Sequence, residues 1–339
     1  MINWATPHLS RTDNSDLWSE TYSKLAFRPY ALETEVMEYF RVAMVSETYS
    51  CTDHSIILLS EGKPCGLWSI QALEGSDKVQ LISNGVAVAH PEFLPATPQR
   101  ARKSIIRALI AGLQELVDKG ATVKCSSRML PWQADSGLGP WHEALANITG
   151  RPLPRHHMFV ELSQPFNTLR SSFRKSYKPL INRGLRTWAP FLMTSQTADR
   201  AVWDSFQAFH VETAGRQTRS QTTWDMQFDF IKSDKAFLVG LRNPANNALV
   251  GAGLFTHSPD EAAYSSGVYN RDLFDKPLGH VVQTIAIQEM QRRGLKWYAI
   301  GDRLFDFDKD WASAKEVSIS DFKAGFASRL TPGFEFRLT

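Results

Sequence analysis

Cysteine is scarce: Cys51, Cys65 and Cys125 are the only three in 339 residues. Their odd count and irregular spacing argue against a disulfide scaffold or a zinc site, and leave reduced, buried thiols as the expectation. Long apolar runs are missing too. The most apolar helical stretch, 105–116, is interrupted by Arg107 and Gln114, so no membrane-spanning helix is expected. The opening MINWATPHLSRTDNSD has no basic start followed by an apolar run, which argues against a secretory signal and points to the cytoplasm. There is no G-x-S-x-G elbow, no cysteine in a recognisable catalytic motif, and no zinc-finger, helix-turn-helix or RNP pattern. A glycine-rich phosphate loop is also lacking. The stretch GVYNRDLFDKPLGHVVQTIAIQEMQRRG (267–294) reads strand, loop, helix, a natural place for a phosphate, yet only Gly279 remains at the helix start.

What is present is an ordinary globular composition, 43% hydrophobic and 22% charged, with a net charge of +3. That charge alone does not imply nucleic acid. The length exceeds one ordinary core, so two domains are expected. A repeat supports this. HSIILLSEGKPCGLWSIQ (54–71) and AFLVGLRNPANNALVGAGLFTH (236–257) both read strand, turn, strand. Ser83-Asn84-Gly85-Val86 and Ser265-Ser266-Gly267-Val268 follow, each leading through a loop into an amphipathic helix. Those helices end in QELVDKG and QEMQRRG, where the glycine suits a left-handed cap, and each precedes a strand, ATVKCSS or LKWYAIGD. Each half therefore reads as helices, antiparallel hairpin, strand, helix, strand: an α+β layered unit.

The halves join near 150–168, where Pro152, Pro154 and Pro165 surround a short strand at 157–162. Next comes FNTLRSSFRKSYKPLINRGLRTW, with no acid between Phe166 and Trp188. Arg170, Arg174 and Lys178 recur every four residues, the spacing of one helix face, and Lys175, Arg183 and Arg186 add to the charge. The expectation is a basic surface for phosphates or a solvated connector, with Pro179 breaking the helix.

Two further clusters bear chemistry. HVETAGRQTRSQTTW (210–224) gathers His210, Glu212, Arg216, Arg219 and Trp224 at a helix–loop–helix junction, with Ser220 capping the second helix. Arg216 and Arg219 can fork onto phosphate oxygens or pair with Glu212 or Asp225. His210 is a candidate general base or a satisfied helix-end residue, and Trp224 a stacking platform or core. In the strand–loop–helix of the second half, Tyr264, Tyr269 and Asn270 would wall a cleft. A neutral His280 at the helix start is a candidate proton relay, and Asp302 at a strand end is a candidate amine orienter or base, or else an Asx turn. Glu316 is a candidate partner for Lys323. In the first half, Arg100, Arg102 and Lys103 sit where a Pro-rich loop enters a helix, a candidate phosphate contact or else solvated charge. Trp4, Trp18, Tyr22, Tyr30, Tyr39 and Phe40 read as core packing.

The doubled unit resembles the Gcn5-related N-acetyltransferase (GNAT) fold, and its tandem use resembles the FemABX family. Two segments carry the likeness: the basic LRSSFRKSYKPLINRGLR (169–186) and SISDFKAGF (318–326) with its Phe322-Lys323 pair. The resemblance implies an α/β (α+β) fold of two tandem GNAT-like domains, each a mixed central sheet flanked by helices. It places them at 1–165 and 166–339, with roughly the last 20 residues packed back on the first domain. It implies N-acyl transfer to an amine of a cell-envelope or glycoconjugate precursor. The donor would be aminoacyl-tRNA or an acyl-CoA used as co-substrate, with no bound cofactor. The acceptor would be nucleotide- or lipid-linked, which allows peripheral membrane contact. It sets Lys323 beside the reacting centre as an oxyanion stabiliser, with Phe322 adjoining. Direct attack by the amine needs proton removal, oxyanion stabilisation and in-line positioning, but no covalent nucleophile. Two other readings stay open: a CoA-dependent N-acyltransferase acting on an amino sugar, and a non-catalytic protein that binds an anionic ligand.

Overall fold

Both repeats end their long helix in the same way. The helix Gln99–Asp118 stops with Gly120 at φ +95°, and the helix Leu278–Arg292 with Gly294 at φ +74°. In each, the glycine N–H donates to the carbonyl three residues back, on Val117 or Gln291. The next N–H donates to the carbonyl five back, on Leu116 or Met290. This is the Schellman arrangement, which requires a left-handed residue after the helix. A Cβ on either glycine would meet nothing within 4 Å, so backbone strain alone keeps other residues out. Gly294→Ala should therefore cost about 1 kcal/mol, seen as a lower urea midpoint with an unchanged slope. An unaltered midpoint would show that the cap contributes nothing.

A computed structural model describes residues 4–76, 78–132 and 138–339. The chain divides into Met1–His156 together with Thr331–Thr339, and His157–Leu330. The first unit runs through β1 (His8–Ser10), α1 (Ser15–Ser23), α2 (Thr34–Ala43), β2 (Ser50–Asp53), β3 (Ile56–Ser60) and β4 (Lys63–Trp68). It continues with β5 (Gln71–Glu74), β6 (Val79–Ile82), β7 (Glu92–Phe93), α3 (Gln99–Asp118), β8 (Thr122–Arg128) and α4 (Pro140–Ala146). Strand β9 (Leu153–Glu161) leads into the second unit. There follow α5 (Phe166–Ser172), α6 (Tyr177–Thr187), β10 (Ala189–Met193), α7 (Arg200–Ala214), α8 (Gln221–Lys232), β11 (Ala236–Arg242) and β12 (Leu249–His257). Then come β13 (Glu261–Tyr269), α9 (Leu278–Arg292), β14 (Trp297–Asp302), α10 (Ala314–Ala324) and finally β15 (Arg329–Leu338). Among the described residues, no helix is long and apolar enough to cross a membrane.

Each unit holds a mixed sheet flanked by helices. In the first the order is β15–β8–β6–β5–β2, with β6 parallel to β8 across the α3 crossover. In the second it is β10–β11–β12–β13–β14, with β9 following, and β13 parallel to β14 across α9. A parallel pair needs such a crossover, whereas the hairpins on either side are antiparallel. The repeat diverges at the hairpin. In the second unit β11 and β12 stay in the main sheet, but β3 and β4 form a separate sheet of order β1–β3–β4–β7. The chain changes sheets between Trp68 and Gln71. Ser55 makes this possible: its hydroxyl accepts from the Ile70 N–H at 3.1 Å, while the His54 N–H donates to the Ile70 carbonyl.

The first core sets Ile105, Ile106, Leu109, Ile110 and Leu113 of α3 against Trp68 and Trp141, and Trp4 meets Trp68 edge-on at 4.8 Å. Trp18 and Tyr22 are buried in a smaller cluster with Met37, whereas Tyr30, Tyr39 and Phe40 are only partly buried. The second core is built on α9, whose Val281, Val282, Ala286, Ile287 and Met290 are fully enclosed. The basic segment is not one helix. It breaks at 173–176, where Phe173 drops into the core, so Arg170, Arg174 and Lys178 lie on α5, the break and α6. Pro179 does not cause the break. It occupies the first turn of α6, where its missing N–H would have had no helical partner anyway.

Candidate active site

Lys323 is held over the end of β14 by the helix α10. Ser313 and Glu316 start that helix with a capping box, which removes Glu316 as a partner for Lys323. The other end is anchored by Arg174, which forks onto Asp321 at 2.9 and 3.1 Å and also donates to its carbonyl. Arg303 reaches the same carboxylate at 3.0 Å. Arg174 is thus committed to positioning α10, and its guanidinium lies over the Tyr177 ring at 5.3 Å. Tyr177 in turn donates to the Phe322 carbonyl at 2.9 Å.

Lys323 is half-buried and makes no hydrogen bond or ion pair with any described residue. Burial pulls its pKa below the ordinary lysine value, while Asp302 opposes that by favouring the cation. Its ammonium lies 5.1 Å from the centre of the Tyr264 ring. Gly301, at φ +131°, gives it room: a Cβ there would stand 3.1 Å from Nζ. Asp302 is half-exposed, and its Oδ1 accepts from His157 Nδ1 at 2.7 Å, with His157 buried on β9. The imidazole thus fixes the Asp302 carboxylate at the end of β14.

Around this pair stands an aromatic wall. Tyr264 and Tyr269 share a hydrogen bond of 3.1 Å between their hydroxyls. Burial pushes Tyr264 up to about 12 and Tyr269 well above the usual phenol range, so both stay neutral. The Phe322 ring rides over Gly279 at the start of α9, where a side chain would collide with it. His280 meets Tyr177 and Phe322 edge-on at 4.5 and 5.0 Å. Burial, reinforced by Arg174 and Arg183, pushes His280 down to about 4. It is a neutral imidazole at physiological pH, acting first as a packing surface.

The structure thus gathers Lys323, Asp302, His280, Tyr269 and Phe322, with Arg174 behind them. His210, Arg219 and Trp224 form a different group at the α7–α8 junction. Arg219 covers Trp224 at 4.9 Å, Trp224 is fully buried, and His210 stacks edge-on with Trp224 at 5.3 Å. Burial and Arg219 lower the His210 pKa. Arg216 is exposed between the helices. No described contact joins this group to Lys323. Arg170 bonds Asn182, while Lys175, Lys178, Arg183 and Arg186 pair with no carboxylate among the described residues. In the first unit Arg102 donates to the carbonyls of Thr97, Leu94 and Pro95, so it clamps its own loop rather than waiting for a phosphate.

Sequence reasoning missed His157 and Tyr177. In the sequence His157 reads only as the first residue of a strand. Its partner lies 145 positions away, and no local pattern links the two.

Solved structures align with this architecture along almost its whole length. FemX matches with a TM-score of 0.68 at 12% identity, over 96% of this chain and 95% of its own. The fold is FemX-like. A tandem GNAT protein from the clavulanic acid biosynthesis pathway matches with a TM-score of 0.53 at 14% identity, over 98% of each chain. The C-terminal domain of an Agrobacterium fabrum protein assigned as a lysylphosphatidylglycerol synthetase matches at 0.57 and 12%, over 97% of this chain and 92% of its own. Neither a family model nor a curated protein sequence matches the chain. The FemX-like fold is two GNAT-like domains in tandem, each a mixed sheet flanked by helices. In that FemX-like frame α9 and α10 supply the residues around Lys323, and β9 and β14 supply the His157–Asp302 pair.

Proposed function

We propose that this protein is an N-acyltransferase that moves an aminoacyl or acyl group onto an amine of a cell-envelope or glycoconjugate precursor. The observation that carries the reading is a half-buried Lys323, without a hydrogen bond or ion pair among the described residues, beside the His157-held carboxylate of Asp302 in a FemX-like fold. The acceptor amine attacks the donor carbonyl and a C–N bond forms. Asp302 takes the proton that the amine must lose, and His157 keeps that carboxylate aimed. Negative charge develops on the former carbonyl oxygen, where the Lys323 ammonium stabilises it. Collapse breaks the C–O or C–S bond to the carrier, and the proton on Asp302 leaves with the departing group. The aromatic wall of Tyr264, Tyr269 and Phe322 keeps water from competing for the acyl carbon.

Aminoacyl-tRNA is the donor this reading favours, and nucleotide- or lipid-linked amines are its acceptors. The support is the uncompensated charge of Lys175, Lys178, Arg183 and Arg186 on the segment containing α6, together with an α9 entry that has no glycine-rich cradle. A thermal-shift panel of charged tRNA, acetyl-CoA, longer acyl-CoAs and UDP-amino sugars tests the assignment, because a ligand that binds only the native state raises Tm. Charged tRNA and a UDP-amino sugar should each raise Tm. A strong shift with CoA esters alone would replace the donor, and no shift with any member would remove the transferase reading.

A further inference from the structure

Phe274 is 67% exposed, and no large apolar side chain among the described residues is more so. It sits in the loop 270–277 between β13 and α9. There the Asn270 side chain accepts from the Asp272 N–H, and the Phe274 N–H donates to the Arg271 carbonyl. These bonds give the turn a fixed shape, so the ring is held out toward solvent. The loop is fastened to α6. Arg183 Nη2 donates to the Asp275 carbonyl at 3.2 Å, and the Lys276 ammonium lies 5.7 Å from the centre of the Trp188 ring. A Cβ on Gly184 would stand 2.9 Å from the Pro277 carbonyl oxygen, so helix and loop touch directly. Phe274 and the outer side of α6 are therefore parts of one surface.

That surface is basic, and its charge is not matched. Lys178, Asn182 and Arg186 follow one another at four-residue intervals on α6, with Arg183 beside them and Lys175 in the turn before. Arg183 meets only a backbone carbonyl. None of Lys175, Lys178, Arg183 and Arg186 pairs with a carboxylate among the described residues. The loop itself is neutral, because Arg271 and Lys276 offset Asp272 and Asp275. Arg174 is already engaged by Asp321 and adds nothing. Unbalanced cations beside a protruding phenyl ring fit an anionic bilayer: the cations meet headgroup phosphates while the ring enters the boundary with the acyl chains. The phosphates of tRNA would suit the cations too, but a phosphate backbone offers no apolar surface to Phe274.

We propose that α6 and the loop 270–277 form a docking surface for an anionic lipid bilayer, with Phe274 inserted at the interface and Lys175, Lys178, Arg183 and Arg186 over the headgroups. The surface goes beyond the transferase reading, since bilayer binding requires no acyl transfer. It adjoins that site, because the loop leads straight into α9 with its Gly279 under Phe322. Flotation of the full chain with phosphatidylcholine vesicles, with and without about 30% phosphatidylglycerol, tests it. Binding should be at least ~10-fold tighter to the anionic vesicles, and should weaken as salt rises from about 0.05 to about 0.5 M. Phe274→Ser should weaken it about 10-fold, and Lys178→Gln combined with Arg186→Gln by a similar factor. Both variants should melt like the parent, because none of these side chains is buried. Lys323→Met should bind vesicles as the parent does. The surface is overturned if anionic vesicles bind no better than neutral ones. It is equally overturned if Phe274→Ser binds like the parent, because the cations would then act alone, as on an RNA-binding surface.

Discussion

Lys323→Met should leave a protein that melts at or above the parent temperature and transfers acyl groups about 10²–10³ times more slowly. Both halves of that expectation come from the same geometry. The native ammonium has no hydrogen bond or ion pair among the described residues, so methionine removes no bond that holds α10 in place. It also removes a charge that burial disfavours, and its length still fills the space over Tyr264 and beside Gly301. What disappears is the cation facing the developing oxyanion. Asp302 stays aimed by His157, so acceptor binding should change little and the loss should appear in kcat rather than KM. The assay uses whichever donor and acceptor stabilise the protein in the thermal panel. Undiminished turnover in a variant with parent-like melting would take Lys323 out of the mechanism. A collapse in Tm would show instead that its role is structural.

The parts of this fold legible in the sequence were those written locally. Turn chemistry, β-run length and helix-ending glycines lie within a few residues of one another. The strand–helix–strand crossovers and their paired Schellman caps at Gly120 and Gly294 could therefore be anticipated. The first-unit hairpin was legible too, but not its separation from the main sheet, where Ser55 meets Ile70 through a contact that turn residues do not announce. The basic run was misleading at Arg174 alone, for the opposite reason. It contains no acid of its own, but Asp321 arrives from 147 positions away to occupy Arg174. Arg102 likewise found backbone carbonyls rather than a ligand. Around Lys323 the gathered groups come from five separate elements, β9, β13, α9, β14 and α10. Their types could be picked out one by one. The His157–Asp302 pairing required the sheet order that sets β9 against β14, with His157 opposite Asp302.

Acidification should destabilise this protein well before its carboxylates titrate. His257 and His280 are both pushed down to about 4, the first chiefly by burial and then by Arg293, the second by burial and then by Arg174 and Arg183. Around His257, Asp234 pulls the other way and Lys235 adds to the depression. An unfolded histidine takes its proton near pH 6.5, so below that value the unfolded chain binds protons that the native chain refuses. Stability is fully present above pH 6.5, falls as pH drops from about 6.5 to about 4, and then levels off for these two groups. Each shift corresponds to about 3 kcal/mol at the end of that window, against a total of about 5–15 kcal/mol for a typical domain. The carboxylates held low by arginine, Asp234, Glu289 and Asp321, contribute the same sign only at lower pH, because their ordinary values already lie at 3.8–4.5. Urea unfolding at several pH values from 7 to 5 therefore isolates the histidines. Burial also holds His54, His142 and His210 low, so they add to the slope; His280→Phe, which suits its aromatic neighbours, and His257→Gln, which keeps an acceptor for Arg293, should each remove a distinct share of it. A flat stability profile between pH 7 and 5, or a slope untouched by both substitutions, would mean that neither imidazole is held neutral by its surroundings.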